Sequence, residues 1–205
     1  SYAEAINAAA VARLKAWVAK GGTLVAIEDA VGFLAGSTVG LLSTAAETLA
    51  TERKADPAKP ENGRVPGQVL ADEKALLEAI QPERPAADEV QGILGIAKTD
   101  PDHWLTAGVP ATVNALVRGR TTYAPLKLDK GVNVAHFLGA DSVVASGYMW
   151  AENRKQLAFK PLVMVERQGA GHVIGFTFDP NFRAYLDSMN VLFLNAVFRG
   201  PAHGR

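Results

Sequence analysis

The segment Gly169-Ala-Gly-His-Val-Ile-Gly-Phe-Thr-Phe-Asp-Pro-Asn-Phe-Arg183 constrains the fold more than any other stretch of this chain. A glycine turn feeds an apolar run over His172–Phe178, and Asp179-Pro180 breaks it. An amphipathic stretch over Tyr185–Phe198 follows and closes on Arg199-Gly200-Pro201. The pattern is that of a core strand followed by a helix with its own start and stop signals. A mirror of this unit lies at the other end. Residues 2–20 set Ile6, Ala10, Leu14, Trp17 and Val18 three or four apart, the spacing of an amphipathic helix, and Gly21-Gly22 ends it. Thr23–Ile27 then reads as a short strand, apolar on both faces as inside a parallel sheet.

From Gly36 to about Glu89 the periodicity degrades. A polar helix is expected over Ser43–Lys54, capped by Ser43 or Thr44 with Glu47 behind it. A turn-rich loop is expected over Asp56–Gly63, and a short helix over Asp72–Ile80 that stops at Gln81-Pro82-Glu83-Arg84-Pro85. Residues 43–87 are read as an insertion decorating a single domain that spans 1–205. Strand patterns return at Ile93–Lys98, Val113–Arg118, Val132–Phe137, Val143–Ser146, Leu162–Glu166 and His172–Phe178. Short turns rather than helices separate them, which argues for antiparallel pairing. The fold class that follows is α/β: a parallel core with an antiparallel extension, hence a mixed sheet.

Composition excludes several classes of function. The net charge is zero, which removes the electrostatic ground for binding nucleic acid or an anionic membrane. No apolar run approaches the roughly 20 residues that cross a bilayer. The longest, Val191–Phe198, is read as the buried end of a helix. There is no cysteine, so disulfides, thiolate metal sites and cysteine nucleophiles are all ruled out. The chain opens on Ser1-Tyr2 without a methionine or a signal-like segment, and is read as a piece of a longer protein.

Three places carry candidate chemistry. Glu28 and Asp29 stand at the turn between the first strand and the next helix, where Asp29 is expected to cap the helix and either carboxylate can face a cleft. Tyr148, Met149 and Trp150 lie beside Glu152, Asn153 and Arg154, an aromatic platform with ionic groups of the kind that binding surfaces use. Asp179 and Arg183 follow the last strand, with Asp179 expected to cap the final helix and Arg183 to pair with Asp179, Asp187 or a carboxylate elsewhere. The four histidines, His103, His136, His172 and His203, show no metal-binding spacing, and no metal site is expected. Asp100–Pro110 reads as a structured loop in which Trp104 and Leu105 plug the core and Gly108 allows a positive φ.

The wording of Gly169–Arg183, with Gly21-Gly-Thr-Leu-Val-Ala-Ile27 upstream, resembles class I glutamine-amidotransferase-like domains. It looks most like the version appended to bacterial zinc metallocarboxypeptidases, and Asp100–Pro110 resembles a loop of the same appended domains. The resemblance covers Leu14–Phe33 and Asp88–Pro201. It implies a flavodoxin-like three-layer sandwich truncated at its amino-terminal edge, so that either the sheet is smaller than usual or an edge is left open to pair with a second copy. In such a domain the turn at Glu28-Asp29 carries a nucleophilic cysteine, and a catalytic His and Glu lie near the final strands, where this chain has Asp179-Pro-Asn181. No catalytic residue is expected. The resemblance implies a non-catalytic accessory domain of a secreted or periplasmic zinc carboxypeptidase, serving packing, oligomerisation or substrate binding. Its partner is then the parent's peptidase domain, which holds zinc through a His-x-x-Glu…His set, and the chain itself needs no cofactor. An alternative is a small-molecule or glycan-binding module that uses the carboxyl edge of the sheet through Glu28, Trp150, Arg154 and Asp179. A third reading is a hydrolase using Glu28 or Asp29 with His172.

Overall fold

The computed structural model describes residues 6–47, 71–79, 89–119 and 121–203. Outside them lie the loop expected over 56–63, the proline stop at 81–85, residues 48–54 of the expected polar helix and residues 2–5 of the first helix. The chain forms a curled, mixed sheet with helices on both of its faces. Among the described residues no helix is long and apolar enough to cross a membrane.

Helix α1 spans Ala8–Ala19 and starts where the Asn7 side chain accepts the Ala10 N–H at 3.0 Å. It ends as Gly21 turns the chain at φ 108° into β1, Thr23–Ile27. Helix α2, Asp29–Ala35, follows at once, and β2, Ala46–Glu47, comes next. Helix α3, Glu73–Ala79, has Asp72 as its cap, accepting the Ala75 N–H at 2.7 Å. The strands β3 (Val90–Thr99), β4 (Thr112–Gly119), β5 (Thr122–Tyr123), β6 (Gly131–Phe137) and β7 (Val144–Ser146) then precede α4 (Ala151–Leu157). The chain closes with β8 (Pro161–Gln168), β9 (Gly171–Phe176) and α5 (Asp187–His203).

The main sheet runs β1-β9-β8-β6-β3-β4, with β7 laid against β3. Only β1 and β9 pair in parallel, and every other pair is antiparallel. The parallel core expected from the sequence is therefore a single pair, and antiparallel pairing predominates. The cause is the short turns: β8 and β9 are joined only by Gly169-Ala170, which forces a hairpin. Nor is β1 interior, since β9 is its only partner among the described strands.

The sheet is also far from flat. Six strands spaced about 4.8 Å apart would hold the end strands about 24 Å from each other. Yet α5 contacts both β1 and β4, and Arg118 near the end of β4 comes within 3.5 Å of Glu28 just beyond β1. The sheet curls until both end strands approach one helix. Its inner face and α5 enclose one core, containing Ile93, Phe137, Val163, Ile174, Phe176 and Leu192. The outer face is covered by α1, α2 and the chain that follows them, with Val18, Val31, Leu42, Met164 and Val173 inside. Successive residues such as Val163 and Met164, or Val173 and Ile174, enter opposite cores, as the two-residue period of a strand requires. That is why these strands read as unbroken apolar runs.

Two expectations fail for one kind of reason. The Ser43 and Thr44 hydroxyls do not cap a helix: Ser43 bonds to Glu166 and Thr44 Oγ1 donates to the Ala124 carbonyl at 2.6 Å. Residues 43–47 are thus extended, with β2 paired to β5, while the helix expected over Asp72–Ile80 does form as α3. Nor is Gly200 a stop, because α5 runs through it and Pro201 to His203. A Cβ on Gly200 would lie 2.8 Å from the Thr23 Cγ2, so the glycine lets α5 settle onto β1 and β9. The Val191–Phe198 run is buried only along one face: Leu192 and Ala196 point inward, while Leu194, Val197 and Phe198 point out.

Candidate functional site

The carboxyl end of β1 carries a residue in a constrained backbone state. Glu28 holds φ 51° and ψ −119°, a backbone state that glycine adopts readily and a glutamate only at a cost of about 1–3 kcal/mol. Its N–H donates to the Phe176 carbonyl at 2.9 Å, and its own carbonyl accepts the Val31 N–H at 2.9 Å and the Tyr123 hydroxyl at 3.4 Å. The sheet on one side and the start of α2 on the other fix the turn. Burial, then the nearby Asp29 carboxylate, pushes the Tyr123 hydroxyl above its usual range, so it stays a protonated donor.

A groove of about 410 Å³ opens over this turn, lined by Glu28, Asp29, Glu89, Arg118, Tyr123 and Thr177 among others. Arg118 Nη2 lies 3.5 Å from Glu28 Oε1, with both side chains partly in water, so the pair adds little to stability. The same guanidinium sits 5.7 Å from the centre of the Phe182 ring, and that of Arg183 sits 5.4 Å from it. A smaller pocket of about 20 Å³ adjoins the groove, sharing Val90, Arg118, Gly119, Thr121 and Phe178 with it. Into this pocket comes Asn153, 2% exposed, with neither amide atom hydrogen-bonded among the described residues. Leaving such a group unpaired costs about 1–3 kcal/mol, and donors and acceptors left unmade in this way recur where ligands bind.

The sequence candidates divide. Glu28 and Asp29 do share the groove, but Asp29 is the first residue of α2 rather than its cap. The cap position belongs to Glu28, whose side chain makes no cap bond, and Asp29 acts only on the helix dipole. Asp179 accepts the Asn181 N–H at 2.8 Å in a tight turn and does not cap α5, which begins later at Asp187. Arg183 forms no ion pair with Asp179 or Asp187, because its own positive φ of 52° carries it onto Phe182. The aromatic platform splits too. Met149 is buried, while Tyr148 and Trp150 pack edge to face with ring centres 5.5 Å apart in solvent. Arg154 Nε donates to the Met149 carbonyl at 3.0 Å, and Glu152 is exposed on the first turn of α4. None of Trp150, Glu152, Arg154 or Asp179 lines the groove with Glu28. Of that segment, Met149 and Asn153 reach the neighbouring pocket.

A second site escaped the sequence altogether. His103, His172 and His203 converge on Trp104, with ring centres 5.3, 5.8 and 4.4 Å from it. Leu105 plugs the core and Trp104 packs against it as expected, and Trp104 also forms the wall of a groove of about 570 Å³. His172 also separates from Glu28. It pairs in register with Thr23 at the start of β1, about 16 Å by strand rise from Glu28 beyond its end. A hydrolytic pair of Glu28 or Asp29 with His172 is therefore not assembled. Among the described residues no group of three or more His, Cys, Asp or Glu is arranged to hold a metal ion. No protein-family model, curated protein or solved structure matches this chain.

The strain at Glu28 gives a direct expectation. Glu28→Gly should raise stability by about 1 kcal/mol, because relief of the backbone outweighs the added freedom of the unfolded glycine. Urea denaturation followed by circular dichroism reads the change. A glycine variant less stable than the parent would mean that the Arg118 contact outweighs the strain.

Proposed function

We propose that this chain is a non-catalytic accessory domain, of the flavodoxin-like, class I amidotransferase-like kind, that serves a secreted or periplasmic zinc carboxypeptidase. The observation carrying the reading is the turn after β1. Where such a domain would hold its cysteine, a strained Glu28 faces Arg118, and the nearest candidate base on β9, His172, lies at the far end of the strand. A carboxylate held against a guanidinium is a poor nucleophile toward an amide. The parallel β1–β9 pair, with a helix entered directly from β1, agrees with the flavodoxin-like assignment. Zinc then belongs to the parent's peptidase domain.

The face by which the domain packs on that partner is the outer side of α5. Leu194, Val197 and Phe198 follow one another at helical spacing, and Phe198 is 76% exposed. An apolar stripe of this kind is what an interface buries. Alone, the chain is expected to release no amino acid from peptides, hydrolyse no glutamine and retain no stoichiometric zinc. Mixed with the separately produced peptidase domain it should bind, and Phe198→Asp should weaken that binding at least about tenfold without lowering the melting temperature. Turnover or stoichiometric zinc in the isolated chain would sink the proposal.

A second reading, a small-molecule or glycan-binding module, draws on the groove over Glu28 and the unpaired Asn153 amide beside it. It requires saturable binding that Glu28→Gly and Asn153→Ala abolish. Among the described strands the outer side of β1 is unpaired and offers an edge to a second copy, and a dimer in sedimentation that Val25→Pro dissolves would favour that role over docking through α5.

A further inference from the structure

We propose that the groove at the amino-terminal ends of β1 and β9, walled by His103, Trp104, His172 and His203, binds a small oxyanion: the carboxylate or phosphate group of a small molecule. The site is independent of the docking face and lies at the opposite end of β1 from Glu28.

The four walls come from three distant parts of the chain: the loop after β3, the start of β9 and the last turn of α5. His203 stacks on Trp104 at an interplanar angle of 7°, and His172 beneath them is only 3% exposed. The volume of about 570 Å³ falls in the range of small-ligand sites. Its lining carries Lys130 and Arg167 against one carboxylate, Asp129, which stands largely in solvent 3.9 Å from the Lys130 ammonium. With all three imidazoles neutral the lining is already net positive, and each proton they gain makes it more so.

Hydrogen bonding fixes one donor. His103 Nδ1 accepts the Leu105 N–H at 3.2 Å, and a backbone amide can only donate. The proton of the neutral ring therefore sits on Nε2, and a second proton on Nδ1 would break that bond. His103 is thus a neutral N–H donor. His172 has its Nε2 3.5 Å from Thr23 Oγ1. Burial first, then the neighbouring His203, Arg167 and His103, depresses its protonation below the ordinary histidine range.

The other charged groups around the cluster are Asp100 and Asp102 in the loop of His103, and Arg199 on α5, whose Nη1 donates to the Trp104 carbonyl at 3.3 Å. Helix α1 and Lys20 lie on the opposite face, where Val18 packs with Val173. Asp100 already accepts the Asp102 N–H. An oxyanion entering the groove favours the charged ring and so offsets the burial, and then the neighbouring positive charge, that keep His172 neutral, and binding draws a proton onto that ring. Affinity must then rise as pH falls.

The test is a titration of the chain with inorganic phosphate and, separately, acetate, at about pH 6 and about pH 8, following the imidazole NMR signals. Saturable shifts of His103 and His172 are expected, with affinity lost toward high pH by up to about tenfold per pH unit for the coupled proton. Saturation by phosphate alone assigns the site to phosphate ligands, and saturation by acetate alone to carboxylates. The exposed pair Lys130→Gln and His203→Gln should together weaken binding at least about tenfold while the melting temperature holds. The proposal is overturned if neither anion produces a saturable shift, if binding ignores pH, or if the double variant binds as the parent does.

Discussion

Gly171→Ala should cost about 4 kcal/mol or more, the largest loss expected from one methyl group among the described glycines. A Cβ at this position would collide with the carbonyl oxygens of Val18 and Gly22, and would stand 3.0 Å from the Gly22 nitrogen. The φ of Gly171 lies outside the left-handed region, so the penalty is one of space and not of conformation. No side chain is available to move aside, because every obstacle is backbone. That backbone is also bonded in place: Ala170 N–H donates to the Ala19 carbonyl at 3.1 Å, and His172 N–H to the Gly22 carbonyl at 3.3 Å. The end of α1 therefore lies directly on the start of β9, main chain against main chain. Relief requires α1 to lift, which uncovers Val18 and Val173 in the outer core.

Against a typical total of about 5–15 kcal/mol, such a loss should lower the melting temperature by about 10 °C or more. Gly40→Ala is the control. It has φ 60° and nothing within 4 Å of a Cβ, so only the backbone term applies, about 1 kcal/mol. Thermal denaturation of both variants decides the matter. A Gly171→Ala protein no less stable than the Gly40→Ala protein would mean that α1 does not approach β9 so closely.

How far the sequence foretold this structure depends on the range of each interaction. Local signals read through: the hairpin at Gly169-Ala170, the short helix read over Asp72–Ile80 and the bounds of β1 all follow from neighbours a few residues apart. The same residues mislead when a distant partner takes them over. Ser43 looks like a cap because its hydroxyl is free to bond locally, but Glu166 claims it from across the fold. Gly200 looks like a stop, yet what it answers to is Thr23 on another element. Two acidic residues before a helix suggest capping, and nothing in Glu28-Asp29 announces that the first of them takes a glycine-like φ. The histidine groove is the extreme case. Strand alternation places His172 on a face, but curling of the sheet, which no two-residue period encodes, brings Trp104 and His203 to it.

Glu166→Gln is the second variant expected to have a large effect, about 2 kcal/mol, although it changes only one oxygen to an NH₂ group. Glu166 is 4% exposed on the outer face of β8, where the chain following α2 covers it. Its Oε2 accepts the Ser43 N–H at 2.6 Å, and its Oε1 accepts the Ser43 hydroxyl at 2.7 Å and the Gln168 Nε2 at 3.3 Å. Three donors converge on two carboxylate oxygens, a set in which an acceptor-only group is required. An amide keeps one acceptor and sets an N–H against a donor, so at least one buried bond is lost with its desolvation unrecovered. Ser43→Ala removes only the hydroxyl and should cost about 1 kcal/mol. The two changes share a bond, so the double variant should be less destabilised than the sum by about 1 kcal/mol. Urea melts of the four proteins give the coupling directly. If the two losses simply add, the Ser43 clasp does not hold the chain after α2 onto the sheet, and β2 is kept beside β5 by Thr44, the Ala124 N–H bond to the Ala45 carbonyl and the Glu47–Lys160 ion pair.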